Sequence, residues 1–175
     1  MKLRLLLLTL VLAATAAIGT RVQSQTRPPL LMDGHVHMTN RVYWEGIDPW
    51  QVQSVGDWDL ARARQAGVNV VIENIAPYGY NTYNTTVKQV GRLIDTFHRV
   101  LDSNKDKMEL ALTAADVRRI VSSGKMAVIL GIEAGFDQEG DIDILRLWHR
   151  LGVRVVQFAS QSTTAYADSS GRGPV

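Results

Sequence analysis

The sequence contains no cysteine, so the fold cannot use disulfide bonds and no lipid can be attached to an N-terminal cysteine. It also lacks a long apolar run: the stretch from Leu5 to Ile18 is shorter than the roughly 20 residues that a transmembrane helix needs. Such a chain has to be held together by its hydrophobic core.

The first residues have the pattern of an export signal. Lys2 and Arg4 precede the apolar stretch. Small residues then stand at the positions that a signal peptidase reads, within residues 22–24. We therefore expect residues 1–24 to be a removed signal peptide and residues 25–175 to be exported to the periplasm or the extracellular space. Contact with a membrane is expected only through this signal.

A strong excess of one charge is missing as well. The formal net charge is +2, but Lys2, Arg4 and Arg21 belong to the leader, and without them 16 basic residues face 17 acidic ones. Proteins that bind nucleic acid carry a basic footprint for the phosphate backbone. The sequence therefore predicts no nucleic-acid partner.

The segment Asp33-Gly34-His35-Val36-His37 is the most informative feature present. It ends a short apolar run, and two histidines at positions i and i+2 of an extended segment point to the same face. Both imidazoles can then bind one cation, as they do in many metal-dependent hydrolases. The alternative is a turn after a strand with two solvated histidines.

Beyond the leader, apolar runs of strand type alternate with helical patterns. This rhythm predicts an α/β fold in which parallel strands are buried on both faces. The expected strands are 30–35, 68–75, 126–132 and 153–159, and the expected helices are 57–67, 86–103, 113–124 and 141–151.

Short connections and near-continuous apolar strands favour the N-terminal half of a (β/α)8 TIM-type barrel over an open doubly wound sheet. In such barrels the chemistry lies at the carboxyl ends of the strands, which is where His35, His37 and Glu133 fall. A complete barrel takes about 250 residues. We therefore expect 25–175 to be an incomplete barrel domain, truncated at its C-terminus.

Glu133 directly follows the apolar strand 126–132, so its side chain should emerge where the backbone turns. A carboxylate can give one oxygen to each of two cations, and zinc lowers the pKa of bound water to about 7. Glu133 is accordingly expected to be both a metal ligand and a catalytic residue. The alternative is a loop or helix-capping glutamate.

Several short motifs then occur in a recognisable order. They are Asp33-Gly34-His35, Asp59-Leu60-x-Arg62 before Ala66-Gly67-Val68, Gly131-Ile132-Glu133-x-Gly135, Leu145-Arg146 before Leu151-Gly152-Val153-Arg154, and Ala167-Asp168-Ser169. This combination resembles the membrane dipeptidase family, the renal-dipeptidase-like zinc peptidases. The resemblance implies a metal-dependent hydrolase on a (β/α)8 barrel, with two zinc ions and a dipeptide as its small-molecule substrate.

Residue by residue, His35 matches the first metal ligand of the family and Glu133 matches its bridging carboxylate. His37 stands where the family usually has aspartate, and Ser160 stands where it commonly has a substrate-contacting histidine. The histidines of the second metal and the proton-transferring aspartate would lie beyond Val175.

We therefore expect a zinc-dependent hydrolase that cleaves dipeptides through metal-activated water. The alternatives are an amidohydrolase acting on another amide or on a lactone, suggested by His37 and Ser160, and an inactive truncated fragment.

Other residues could surround the site. Glu73 and Asn74 lie at the end of the second strand, on the side of the expected chemistry. The aromatic residues after the histidines either line a pocket over the metal or pack within a loop: Tyr43, Trp44, Trp50 and Trp58.

Overall fold

The structure is a computed structural model that describes residues 29–77, 83–133, 140–160 and 163–169, without the side chains of 83–85. The expected signal peptide, 1–24, lies outside these ranges. Gly135 of the Gly-Ile-Glu motif lies outside them too.

Strands and helices alternate along the described chain, as the apolar patterns predict. The strands are β1 (Met32–Val36), β2 (Val70–Ile75), β3 (Met108–Leu110), β4 (Met126–Ile132) and β5 (Val153–Val156). The helices are α1 (Met38–Glu45), α2 (Leu60–Gln65), α3 (Tyr83–Ser103), α4 (Ala114–Ser122) and α5 (Ile142–Arg150). Among these helices, none combines the length and apolar character needed to cross a bilayer.

All strand pairs in this sheet are parallel, and β4 is its centre. One edge of β4 pairs with β2, which pairs in turn with β1. The other edge is shared, because β3 pairs with the amino half of β4 while β5 pairs with the carboxyl half. Ile75 is level with Ile132, and Ile132 with Val156, so the carboxyl ends of three strands share one rim.

The two faces of the sheet are covered by different helices. The larger buried cluster joins β2 and β4 to α3 and the buried Trp148 of α5. A smaller cluster joins alternate residues of the same two strands, Val70 and Ala127, to Ile120 of α4. Burial on both faces explains why β2 and β4 read as continuous apolar runs.

Local side chains fix where several helices begin. Asp59 accepts a hydrogen bond from the amide of Arg62 (2.7 Å) at the start of α2, and Thr113 accepts one from Asp116 (3.1 Å) at the start of α4. Such N-caps satisfy amides that have no partner inside the helix.

The sequence expectations include neither α1 nor β3. β3 spans three residues, too few for a readable pattern. In α1 the N-cap residue is His37, whose side chain makes no capping hydrogen bond, so the usual start signal is missing. The expected loop after the histidines is therefore wrong over Met38–Glu45.

Candidate metal centre

Three side chains converge at the carboxyl rim of the sheet. His35 lies in β1, His37 directly follows β1, and Glu133 directly follows β4. Their Nε2, Nε2 and Oε2 atoms are 3.0 to 3.1 Å apart in every pairing. The two imidazole rings meet edge to face, with centroids 4.8 Å apart. The structure thus brings together the three residues that the sequence singles out.

The contact of Nδ1 selects the tautomer of neutral His37. Nδ1 lies 2.7 Å from the backbone oxygen of Asn74, which can only accept, so Nδ1 carries the hydrogen. In the neutral ring, Nε2 then presents a lone pair to His35 and Glu133. A cation placed between this lone pair and the Glu133 carboxylate would be held by both.

The donor set fits a small divalent cation. Four-coordinate zinc binds histidine nitrogen and carboxylate oxygen at about 2.0 to 2.2 Å, which places tetrahedral ligand atoms roughly 3.3 to 3.6 Å apart. The observed separations of 3.0 to 3.1 Å are close to this value. Two histidines and one carboxylate, with a position left for water or substrate, is a set that catalytic zinc sites use.

Ser160 holds the other oxygen of Glu133. Its hydroxyl donates to Oε1 at 2.6 Å, so the carboxylate directs Oε2 at the histidines. The backbone oxygen of Ser160 accepts from the hydroxyl of Ser169 at 2.8 Å, which anchors this loop. The sequence singles out Ser160 as a departure from the family pattern. It does not predict the contact of Ser160 with Glu133, since these two residues are 27 positions apart.

Asn74 and Glu73 take different roles because successive strand residues point to opposite faces. Asn74 contributes its backbone oxygen to His37, and its side chain has room only because residue 131 is glycine. A Cβ there would overlap Asn74 Oδ1 and lie 3.3 Å from Val155 Cβ. Glu73 is fully buried and contacts the start of α1 instead of the centre.

Burial changes the titration of Glu73. Loss of hydration raises the pKa of its carboxyl to about 8, although hydrogen bonds from Thr39 and Met38 act in the opposite direction. The alternation of side chains along β2 could have predicted that Glu73 points to the face of the sheet opposite Asn74.

A cavity of about 390 Å³ opens beside the histidines. Apolar side chains form much of its wall, among them Ile47, Pro49 and Trp58. The guanidinium of Arg41, also on this wall, is paired with Glu45 at 2.9 Å. Tyr43, Trp50 and Trp58 all pack against the core, and Trp58 also lines this cavity.

Comparison with known proteins identifies the family. The family model of the membrane dipeptidases, peptidase family M19, matches residues 20–175. The chain belongs to the membrane dipeptidase family.

Two curated members of the dipeptidase family are longer than this chain. It is 32% identical over 152 residues to dipeptidase tcpJ of Claviceps purpurea, covering 79% of this chain and 36% of that protein. It is 28% identical over 161 residues to human dipeptidase 3, covering 89% of this chain and 32% of that protein. The chain thus spans about a third of the length of these relatives.

Solved structures confirm the fold. The metallopeptidase dipeptidase AC, also of family M19, matches with a TM-score of 0.65 at 18% identity, over 77% of this chain and 44% of that one. A Rhodobacter sphaeroides metallopeptidase bound to a phosphinate mimic of L-Ala-D-Ala matches with a TM-score of 0.61 at 15% identity, over 73% and 44%. The α/β class and the partial TIM-barrel-like architecture agree with the sequence expectation.

Proposed function

We propose that this chain forms the N-terminal part of an exported zinc dipeptidase, in which His35, His37 and Glu133 bind metal. The convergence of their three ligand atoms within 3.1 Å at the carboxyl rim carries the proposal. Membership of the M19 family supports the reaction class, and the leader pattern of 1–24 supports export.

The residues of the chain prepare the site for a cation. Asn74 holds the His37 ring so that its Nε2 lone pair faces inward, and Ser160 holds Glu133 so that Oε2 faces the same point. Zinc bound there supplies Lewis acidity and lowers the pKa of water to about 7.

We expect two zinc ions in the complete site, as the family resemblance implies. Glu133 would be the residue to hold both ions, because a carboxylate has two oxygens and the Ser160 hydroxyl uses only one lone pair of Oε1. Glu133 is therefore proposed to be the catalytic carboxylate that links the two ions.

A small substrate suits the space beside the metal ligands. The cavity of about 390 Å³ lies in the size range of small-ligand pockets. Its apolar wall suits an uncharged side chain next to the scissile amide, as a dipeptide would present.

The first test replaces His35 by alanine in the full-length protein. We expect metal content to fall, and kcat/KM for dipeptides to drop by about 10³-fold or more, because the Lewis acid contributes several kcal/mol. The matched control is His149→Ala, since His149 is an exposed histidine of α5. Unchanged turnover and metal content in His35→Ala would show that the site lies elsewhere.

A second candidate is hydrolysis of another amide or of a lactone. His37 in place of the family's usual aspartate, and Ser160 beside Glu133, favour it. Assaying dipeptides and lactones side by side on the full-length protein separates the two. We expect dipeptides to be the better substrates, and a clear preference for lactones would select the second candidate.

A further inference from the structure

Helix α1 begins directly after the metal-site residue His37 but has no cap of its own. The first amides of a helix have no intrahelical acceptor and usually bond to the side chain of the N-cap residue. Here that residue is His37, whose imidazole is directed to Asn74 and the metal centre and makes no capping hydrogen bond. The acceptors have to come from elsewhere.

Glu73 of β2 supplies them. Its Oε2 accepts from the amide of Met38 at 3.0 Å, and its Oε1 accepts from the amide of Thr39 at 2.7 Å. All three residues are at most 2% exposed. Burial of a carboxyl is costly unless hydrogen bonds offset the lost hydration, and these two offset part of it.

Two more contacts tie the same helix end to Ala76, the residue after β2. The Asn40 side chain donates to the backbone oxygen of Ala76 at 2.5 Å and accepts from its amide at 3.1 Å. His37 is therefore held on two sides by residues 73–76, the end of β2 and the residue after it. Asn74 fixes its ring, while Glu73 and Ala76 fix the backbone that follows it.

We infer that Glu73 is a positioning residue for the metal centre, holding the start of α1 so that His37 Nε2 faces His35 and Glu133. This inference rests on the proposed metal-binding role of those residues. Partners that orient a metal ligand typically change metal affinity by 10- to 100-fold when they are removed. Glu73 acts indirectly, through the backbone amides of Met38 and Thr39, which follow the ligand His37.

The test is Glu73→Gln in the full-length protein. The amide keeps the shape of the side chain but places an NH2 group against one backbone N–H, so one capping bond is lost. We expect zinc affinity, measured by competition with a chromophoric chelator, to fall about tenfold. The visible absorption spectrum of the cobalt-substituted protein should shift as well.

Glu109→Gln is the matched control. Glu109 lies in β3 and pairs with Arg119 and Lys125, away from the centre, so zinc affinity should not change. A purely structural role of Glu73 would lower the unfolding midpoint of the metal-free protein without changing the zinc affinity or the cobalt spectrum of the folded protein. That result would overturn the inference.

Two further variants keep the outcomes distinct. If Glu73→Gln does not fold, Glu73→Asp decides, since it keeps the carboxyl group but shortens its reach to the two amides. Wild-type zinc affinity in Glu73→Asp would then overturn the inference. His35→Ala tests the proposed function itself. If His35→Ala loses zinc while the folded Glu73 variants keep the wild-type zinc affinity, the positioning role of Glu73 is rejected and the proposed metal centre stands.

Discussion

His37 is constrained on two sides, because both of its ring nitrogens have partners. Nδ1 contacts the Asn74 backbone oxygen at 2.7 Å, and Nε2 lies 3.0 Å from both His35 and Glu133. With histidine at position 37, the three ligands together carry one negative charge, that of Glu133. An aspartate at this position would raise the total to two. The centre therefore depends strongly on how Glu133 is oriented.

That dependence leads to a prediction for Ser160→Ala. Without the 2.6 Å hydrogen bond to Oε1, the Glu133 carboxylate can rotate away from the histidines. We expect the zinc dissociation constant to rise by about tenfold, as for other groups that orient a metal ligand. Competition with a chelator measures it, and Ser122→Ala, an exposed serine of α4, is the control. Equal affinity in the two variants would rule out an orienting role for Ser160.

The sequence predicts which three residues meet but not what holds them. His35, His37 and Glu133 could be placed together because parallel strands end at one rim. Their role as ligands stays a prediction. The contact of His37 with Asn74 could not be foreseen, since it uses a backbone oxygen that any residue would offer. The contact of Ser160 with Glu133 depends on a loop conformation that no periodicity encodes.

At the scale of elements, a strand or helix set by a local sequence pattern is predictable, whereas one set by contacts distant in sequence is not. β4 has the expected bounds, 126–132, because an apolar run interrupted only by Gly131 begins at Met126, shortly after Gly124 marks the end of the preceding helix segment. Helix α1 was missed because its cap comes from Glu73, 34 or 35 positions away in the chain. Local sequence signals cannot report such a cap.

The buried Glu73 also predicts how stability depends on pH. Its pKa is raised from 4.5 to about 8, so the folded state binds this proton more tightly than the unfolded state does. Between these values the folded state carries more protons, and its stability falls as pH rises. Protonated Glu73 contributes most below pH 4.5, and the contribution is lost by about pH 8.

Urea unfolding of the metal-free protein at pH 5 and pH 8 measures this effect. The free energy of unfolding of the wild type, relative to Glu73→Gln, should decrease by more than about 1 kcal/mol between the two values. Every other ionisable group is shared by the two proteins, so the difference isolates Glu73. A difference that stays constant with pH, or grows as pH rises, would contradict the raised pKa.

At the scale of the whole molecule, the rhythm of strands and helices was enough to predict a parallel α/β fold. The sharing of one β4 edge by β3 and β5 was not predictable, because pairing order depends on contacts distant in sequence. In the described part of the chain, β1 pairs with β2 alone. The chain covers 36% and 32% of two curated relatives, consistent with part of a larger barrel.

Anomalous diffraction at the zinc edge, from crystals of the full-length protein grown with zinc, tests the metal centre most directly. We predict a peak at about 2.0 to 2.2 Å from His35 Nε2, His37 Nε2 and Glu133 Oε2. A second peak should lie about 3.5 to 4 Å from the first, near Glu133 Oε1. Zinc bound only at other residues, with these three side chains still in contact and no ion between them, would contradict the proposed centre.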